Sequence, residues 1–156
     1  MAIKNGYKKI LVPYDGSKFS QKALEIAIEV SKKFSSSLYL VTIIDVSSVS
    51  PPGALLGSQK KVMKKSIDMI KSAATHKVEK MLLEKVSICK KNGIETHYEV
   101  LDGTPSDIIL KLIKKLHIDL VIIGSHGLSG FSKIKALGSV SRRVSELASC
   151  PVLISH

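Results

Sequence analysis

The sequence predicts an α/β fold in which an open, five-stranded parallel sheet carries helices on both faces. Two observations support this prediction. Short runs of apolar residues, each the length of a buried strand, alternate with segments whose apolar residues recur at helical spacing. Apolar residues also make up 44% of the 156 residues, which is enough to bury both faces of such a sheet. We expect a single domain that covers residues 1–156.

The first third of the chain predicts a strand, a helix and a second strand. The apolar run Lys9-Ile10-Leu11-Val12-Pro13 is closed by turn residues and predicts the first strand. Ser17 is a suitable N-cap for the helix that follows, which the serines at 35–37 end. Leu38 to Ile44 is a second apolar run and predicts the second strand.

A loop and a long helix are predicted next. Residues 46–58 contain paired serines, paired prolines and Gly53, a composition typical of a loop. The helix continues to about Lys91, and Asn92-Gly93 ends it. Its predicted apolar stripe consists of Met63, Ile67, Ile70, Ala74, Val78, Met81 and Val86.

The last third predicts three strands and two helices. Ile94 to Leu101 and Leu120 to Ile123 predict the third and fourth strands. Thr104 and Pro105 are typical of the N-cap and first residue of the helix between them. The elements that follow are a helix over Ser139 to Ala148, with Val140, Val144 and Leu147 facing inward, and a final strand over Cys150 to Ile154.

The charge of the chain limits the classes of partner. The formal net charge of +11 is typical of proteins that bind nucleic acids, membrane surfaces or anionic small molecules. Arg142 and Arg143 are the only arginines and aromatic residues make up 4%, so side chains that read bases or stack on them are scarce. We therefore expect no nucleic acid among the partners, and a general attraction to polyanions stays open. Four lysines are predicted to form a solvated helix face: Lys60, Lys61, Lys64 and Lys65.

The sequence predicts neither a membrane span nor a cysteine site. The longest apolar stretch, Leu38 to Ile44, is far shorter than the roughly 18 residues that a span requires. Cys89 and Cys150 lack the spacing of a metal site and are expected to be buried thiols. We expect a cytoplasmic protein with no membrane among its partners.

A glycine loop, residues 124–130, follows the fourth predicted strand. It contains Gly124, Gly127 and Gly130, and Gly138-Ser139 opens the next helix. Glycines let main-chain N–H groups approach an anion closely, and a helix N-terminus adds unpaired N–H donors. Parallel sheets bind ligands at the carboxyl ends of their strands. The pattern therefore predicts a nucleotide or phosphate site, although it matches neither the P-loop nor the dinucleotide fingerprint, and ordinary turns use similar residues.

Together these segments resemble the universal stress protein family over essentially the whole chain. Residues 9–17 resemble the family's first strand, loop and helix start, and Gly103-Thr104-Pro105 resembles its third strand-to-helix junction. Residues 119–130 resemble its nucleotide loop, and residues 138–141 and 150–153 resemble its last helix and strand. The resemblance implies a Rossmann-like fold of the adenine nucleotide alpha hydrolase type.

The resemblance also implies ATP binding, because G-x2-G-x9-G-S/T marks the binding branch of the family. Gly124, Gly127 and Gly138-Ser139 fit this motif, except that ten residues separate Gly127 from Gly138. The extra residue falls within residues 131–137, where it could be absorbed or could move the helix start away from the phosphates. The implied cofactor is ATP, with ADP or AMP as alternatives, and Mg²⁺ would be held by the phosphates and water.

Carried over residue by residue, the resemblance implies an eleven-residue site. Pro13 and Asp15 would line the adenosine pocket, and the main chain of Ile43 would meet the adenine. The glycine loop would donate N–H groups to the ribose and phosphates, and the start of the last helix would donate N–H and hydroxyl groups to the terminal phosphates. The complete set is Pro13, Asp15, Ile43, Gly124, Ser125, His126, Gly127, Gly138, Ser139, Val140 and Ser141.

Several of these residues also have a purely structural interpretation. Pro13 and Gly16 suit any strand-to-helix turn, Asp15 could cap the first helix, and Ser139 could be an ordinary N-cap. His126 has no acid or nucleophile beside it in the sequence, so we expect no catalytic role for it.

The sequence predicts a binding module rather than an enzyme. It contains no Walker lysine, no paired carboxylates and no Ser/His/Asp arrangement, so we expect a regulatory stress-response module with little or no turnover. Two alternatives stay open: a slow ATPase, and a nucleotide-free dimeric interaction protein whose site the extra residue has altered. The resemblance also implies a homodimer with the last strand at the interface, where Val152-Leu153-Ile154 offers an apolar edge. A further protein partner is expected and is not identified by the sequence.

Overall fold

Five parallel strands form one sheet with helices on both faces. The strands are β1 (Lys9–Pro13), β2 (Ser37–Ile44), β3 (Thr96–Asp102), β4 (Leu120–Gly124) and β5 (Val152–Ser155). The helices are α1 (Lys18–Phe34), α2 (Ser58–Lys91), α3 (Pro105–Leu116) and α4 (Ser139–Leu147). The computed structural model describes residues 6–45, 58–128 and 136–156. The predicted fold class and order of elements are confirmed.

The strand order is β3-β2-β1-β4-β5, so the connections run outward from β1 in two directions. β1 pairs with β2 from Lys9–Ser37 onward and with β4 at Ile10–Leu120 and Leu11–Val121. The loops that leave the carboxyl ends of β1 and β4 consequently go to opposite faces of the sheet. A crevice opens at such a switch point, and it is the usual ligand site in open α/β sheets.

Two cores cover the two faces of the sheet. One packs α1 and α2 against Ile10 and Val12 of β1, and the other packs α3 and α4 against Leu11 of the same strand. All three β1 side chains are fully buried, because alternate residues of a strand point to opposite faces and both faces are covered.

The helix ends follow the predicted signals closely. The Ser17 hydroxyl caps α1 by accepting a hydrogen bond from Ser20 N–H, and Ser35 ends the helix in the left-handed region at φ 54°. Thr104 occupies the N-cap position of α3 with Pro105 after it, although the Thr104 side chain makes no capping hydrogen bond. Gly93, at φ 74°, allows the turn that ends α2.

The structure differs from the predictions at a few boundaries. Ser58 begins α2 instead of closing a loop, and the rest of that predicted loop, residues 46–57, lies outside the described residues. β3 begins at Thr96, two residues later than predicted. The inward orientation predicted for Leu147 is wrong, because Leu147 is the last residue of α4 and its side chain is 56% exposed. Ser141 and Val144 are the residues of α4 that are buried.

α2 is anchored mainly through its C-terminal half. Leu82, Val86 and Cys89 are buried against the sheet, whereas the side chains of Val62 and Met69 are exposed. The predicted stripe is half-buried at Met63, Ile67, Ala74, Val78 and Met81 and fully buried at Val86, and the Ile70 side chain lies outside the described residues. Lys61, Lys64 and Lys65 are exposed as predicted, and the Lys60 side chain is not described.

Both cysteines are free thiols. Cys89 is fully buried as predicted, whereas Cys150 is only half-buried. Burial raises the pKa of the Cys89 thiol, and burial together with the Asp119 charge raises the pKa of Cys150. Neither thiol therefore has the low pKa of a reactive cysteine. Among the described residues, no helix combines the length and the apolar character needed to cross a membrane.

Candidate functional site

A cleft of about 510 Å³ opens at the carboxyl edge of the sheet, at the switch point between β1 and β4. Its floor is apolar and comes from Val41 and Ile43 of β2, Ile109 of α3 and Ile123 of β4. Its rim is polar. The rim and walls consist of Pro13, Tyr14, Asp15, Ser20, Asp45, Pro105, Gly124, His126, Gly127, Leu128, Gly138, Ser139, Val140 and Ser141. An apolar pocket with a few converging polar groups is the usual form of a small-molecule site.

Asp15 joins the loop after β1 to the glycine loop. One carboxylate oxygen accepts a hydrogen bond from Ser17 N–H at 2.9 Å, and the other accepts one from Leu128 N–H at 3.0 Å. The two loops come from different strands, so this carboxylate fixes their separation. Ser17, not Asp15, caps α1, so the alternative role considered for Asp15 as a helix cap is wrong.

Tyr14 fixes the same loop from the side of β2. Its N–H donates to Val41 O at 2.8 Å, and its carbonyl accepts from the Thr42 hydroxyl at 2.6 Å. The Tyr14 side chain is only 4% exposed and its hydroxyl donates to Gln21 Oε1 at 3.0 Å, so both the main chain and the side chain hold the loop.

Gly124 and Gly127 both lie where a side chain would collide with the chain. A Cβ at Gly124 would come within 2.8 Å of the Phe19 carbonyl carbon, in the first turn of α1. A Cβ at Gly127 would come within 2.9 Å of an Asp15 carboxylate oxygen. Both glycines therefore have a packing role in bringing the two loops together, in addition to any contact with a ligand.

The start of α4 is hydrogen-bonded to the glycine loop. Gly138 N–H donates to the Ser125 carbonyl oxygen at 2.9 Å, and the Ser141 hydroxyl lies 2.8 Å from the same oxygen. Residues 129–135, which include most of the stretch predicted to hold the extra residue, lie outside the described residues. Ser125 and Gly138, on the two sides of this stretch, are nevertheless in contact, and the N-terminus of α4 faces the cleft.

The structure brings ten of the eleven predicted site residues to the wall of one cleft. Ser125 is the exception. It is fully buried beneath the loop, where its N–H donates to Ser155 O at 2.8 Å and its carbonyl holds α4. The Ser141 hydroxyl is buried and hydrogen-bonds to the carbonyl oxygens of Ser125 and Gly138. The exposed Ser139 is the hydroxyl at the helix start that faces solvent.

His126 lies on the cleft wall and is half-buried. Its Nδ1 is 3.1 Å from the Ser125 hydroxyl, and its ring contacts Phe19 with a centroid distance of 5.3 Å. Ser125 is 0% exposed, so its hydroxyl could not reach a substrate as a nucleophile. This arrangement orients the imidazole.

Eight cleft residues were missed in the sequence: Tyr14, Ser20, Val41, Asp45, Pro105, Ile109, Ile123 and Leu128. Val41 and Ile123 could have been found from the strand pattern, because residues near the carboxyl ends of inner strands line a switch-point crevice. Ile109 belongs to the core and forms part of the cleft floor at the same time, and its side chain is only 1% exposed. No sequence signal distinguishes Ser20 or Leu128 from ordinary surface residues.

Comparison with known proteins identifies the family. The family model described as the universal stress protein family matches residues 6–156. The chain belongs to the universal stress protein family. It is 33% identical over 155 residues to universal stress protein MJ0531 of Methanocaldococcus jannaschii, covering 97% of this chain and 85% of that protein. It is 32% identical over 148 residues to universal stress protein YxiE of Bacillus subtilis, covering 95% and 98% of the two chains.

Solved structures share the fold of this family member. The structure of the hypothetical protein MJ0577 superposes with a TM-score of 0.82 at 24% identity, covering 96% of this chain and 95% of that one. A universal stress protein in complex with cAMP superposes at 0.67 with 22% identity, covering 97% and 98% of the two chains. The Archaeoglobus fulgidus universal stress protein in complex with dAMP superposes at 0.60 with 22% identity, covering 96% and 98%. The fold is thus common to the whole group.

Proposed function

We propose that this universal stress protein binds an adenine nucleotide, with ATP as the ligand, and that occupancy regulates its conformation or its choice of partner. The hydrogen bond from Gly138 N–H to the Ser125 carbonyl is the observation that carries the proposal. It keeps the N-terminus of α4 beside the glycine loop despite the ten-residue spacing. The glycine loop and the N-terminus of α4, both suited to bind phosphate, therefore face the same cleft, as a nucleotide requires.

The chemistry of the cleft suggests how the nucleotide lies. The apolar floor formed by Val41, Ile43 and Ile109 suits the adenine base, and Pro13 and Asp15 lie beside the place for the ribose. The phosphates would extend toward Gly127 and the first turn of α4, where main-chain N–H groups and the helix dipole favour negative charge. Two solved family members were determined with cAMP and with dAMP, which supports an adenine nucleotide as the class of ligand.

Mg²⁺ fits this cleft as a companion of the phosphates. Within the described residues no cluster of three His, Cys, Asp or Glu side chains could hold a metal ion. The Asp15 carboxylate already accepts two main-chain hydrogen bonds. The nucleotide phosphates and water would supply most of the oxygen ligands that Mg²⁺ prefers. When bound, the ion would neutralise part of the phosphate charge.

The test is a calorimetric titration with MgATP, followed by competition with ADP, AMP and cAMP. We expect a binding heat and a rise in Tm for the unmodified chain. Gly127→Ala should weaken binding, because its Cβ would press on the Asp15 carboxylate at 2.9 Å. Gly93→Asn is the matched control, since no atom lies within 4 Å of a Cβ there and Asn tolerates the left-handed backbone. The absence of heat and of any shift at millimolar MgATP would overturn the proposal.

Binding without rapid turnover is part of the proposal. Phosphoryl transfer needs a positioned nucleophile or water and charge clamps, and the buried Ser125 and its neighbour His126 supply neither. We expect phosphate release near the uncatalysed background. Release that disappears in Gly127→Ala and persists in Gly93→Asn would instead favour the slow ATPase.

The ten-residue spacing favours a second candidate, a nucleotide-free interaction protein with the same fold. Deleting one residue within residues 131–137 separates the two candidates. Under our proposal the deletion leaves MgATP affinity similar or reduces it. ATP binding that only the deletion variant shows would favour the second candidate.

We further propose a homodimer through β5. β5 lies at the edge of the sheet, and its Val152, Leu153 and Ile154 are only half-buried in the single chain. The exposed Leu147 side chain lies at the end of the neighbouring helix. An apolar edge of this kind is normally covered by a partner. Light scattering should give the mass of two chains, and Leu147→Gln should weaken the dimer; a mass of one chain for the unmodified protein would contradict it.

A further inference from the structure

The end of the sheet opposite the cleft carries paired lysines from four separate parts of the chain. α1, α2 and α3 each carry a lysine pair in the last turn. A fourth pair lies at the start of β1, with one lysine just before the strand and one as its first residue. We call this the lysine face: Lys8, Lys9, Lys32, Lys33, Lys90, Lys91, Lys114 and Lys115. All of these side chains are exposed except that of Lys9, which is half-buried.

Hydrogen bonds assemble the lysine face at the amino edge of the sheet. Lys8 O accepts from Ser37 N–H at 2.8 Å, which joins the starts of β1 and β2. Lys9 O accepts from Asp119 N–H at 2.9 Å, and Lys9 Nζ donates to the last carbonyl of α3, Leu116 O, at 3.0 Å. Helices that cross back along a parallel sheet end at this edge, so the topology alone brings the four pairs together.

Stabilisation of helix ends explains only part of this pattern. Lysines in the last turn of a helix favour the negative end of its dipole. Lys9 gains in the same way through the bond from its Nζ to Leu116 O, whereas Lys8 lies just before a strand and ends no helix. α4 has no basic residue in its last turn. The lysine pairs therefore lie at the amino ends of β1, β2, β3 and β4 and not at that of β5.

The carboxylates at this end neutralise only part of the charge of the lysine face, because they are fewer than its eight lysines. Glu29 lies 3.7 Å from Lys32, in an exposed pair. Asp119 accepts hydrogen bonds from the main-chain N–H groups of Lys8 and Lys9, and Glu95 accepts one from the Ser37 hydroxyl. Glu146, the fourth carboxylate, lies in the last turn of α4, beyond the lysine pairs. A net positive surface therefore remains.

The layout of the lysine face fits a broad, flat anionic surface. α1 and α2 end on one side of the sheet and α3 on the other, so the charges spread in two dimensions rather than along a stripe. The eight residues of the face include no arginine, and nearby rings pack on each other: Tyr7 on Phe34 at 5.6 Å, and Tyr39 on His97 at 4.7 Å. The lysine face therefore offers charge without the bidentate fork that reads bases.

We propose that the lysine face binds the surface of an anionic lipid bilayer through the lipid phosphates and carboxylates, without insertion. This revises the expectation that no membrane is among the partners, which rested on the lack of a long apolar segment. A surface contact needs only a cluster of lysines, and each lysine near an anionic leaflet strengthens binding several-fold. In this orientation the cleft faces away from the bilayer.

The experiment is co-sedimentation of the full chain with vesicles of phosphatidylcholine, alone or mixed with phosphatidylserine. We expect binding to the mixed vesicles only, and loss of that binding at about 0.5 M NaCl. Lys114→Gln/Lys115→Gln should lower the partition coefficient about tenfold, and Lys90→Gln/Lys91→Gln should have a similar effect. The matched control is Lys64→Gln/Lys65→Gln, which removes the same charge from exposed positions in the other half of α2 and should leave most of the binding intact.

Three results would overturn the proposal. The first is that the chain, shown to be folded by its melting curve, does not bind mixed vesicles at low ionic strength. The second is an equal loss for the control pair, which would mean that net charge alone, and not the lysine face, drives adsorption. The third is stronger binding to duplex DNA than to vesicles of equal phosphate concentration, which would assign the lysine face to nucleic acid instead. MgATP affinity is measured separately, so none of these three results bears on the nucleotide proposal.

Discussion

The two edges of the sheet are built from opposite kinds of residue. At the carboxyl edge, small residues let the main chain of one loop touch that of another, as where a Cβ at Gly124 would meet Phe19 at 2.8 Å. At the amino edge, long lysine side chains extend into solvent. The first arrangement depends on shape and changes with one added atom, whereas the second depends on summed charge and tolerates single changes. Selective recognition is therefore expected at the cleft and graded attraction at the lysine face.

The largest effect should come from Gly124→Val. The new side chain would press on the backbone of α1, and overpacking of this kind should lower the free energy of unfolding by about 3 kcal/mol. MgATP binding should fall with it. Urea unfolding of this variant is compared with that of Lys114→Gln/Lys115→Gln, which should lose less than about 1 kcal/mol. Equal losses of unfolding free energy in the two variants would contradict the contrast between the two edges.

Asp15→Asn should have the next largest effect. The amide keeps the size of the side chain but can accept only one of the two hydrogen bonds, from Ser17 and Leu128, that the carboxylate now accepts. We expect a loss of about 1–2 kcal/mol of unfolding free energy and weaker MgATP binding.

Asp102→Asn is the matched control for this change, since Asp102 is exposed at the end of β3 and does not line the cleft. It should leave both measurements nearly unchanged. If the two variants behave alike, Asp15 does not join the loops in solution.

A smaller and more discriminating effect is expected from two serines of α4. Ser141→Ala removes the hydroxyl beside the Ser125 carbonyl and should cost about 1 kcal/mol of unfolding free energy. Ser139→Ala should change stability by less than about 0.5 kcal/mol, because its side chain is exposed, while it weakens MgATP binding. Thermal unfolding and calorimetry measure the two quantities, and the reverse pattern would exchange the roles assigned to these hydroxyls.

The smallest effect concerns Glu95, at the amino edge. The hydrogen bond from the Ser37 hydroxyl, with a smaller contribution from His97, holds the pKa of this carboxyl below its usual range. The folded form therefore favours the ionised group, and the stability it adds is present above the usual pKa and is lost as pH falls through the lowered one. An NMR titration should show the low pKa, and Ser37→Ala should raise it. An unchanged pKa of Glu95 in Ser37→Ala would show that the Ser37 hydroxyl does not bond to this carboxyl in solution.

The order of strands and helices could be predicted because each element carries its own signal. Lys9–Pro13 is apolar throughout because both faces of β1 are covered, and Thr104-Pro105 starts α3 through local geometry. The orientation of Leu147 could not be predicted in this way, since it depends on where α4 ends against β5. Helical spacing alone predicts that the apolar stripe of α4 continues to Leu147, although the packing of the helix against the core stops before that residue.

The site could be predicted as a set of loops but not as a set of contacts. The glycine pattern indicated which segments meet. The burial of Ser125 and the bond between its carbonyl and Gly138 depend on two segments that the sequence separates. The lysine face was missed for the same reason: its four pairs are far apart in the chain, and only the parallel topology gathers them at one edge.

The bond between Ser125 and Gly138 has a consequence for how such a chain can evolve. The hydrogen bond between Ser125 and Gly138 holds the two sides of the cleft together. Natural selection can therefore lengthen or shorten the stretch between Gly127 and Gly138 while this bond is kept. The ten-residue spacing is then one member of a series of lengths that lineages can sample, and new recognition sequences can arise in that stretch without rebuilding the pocket beside it.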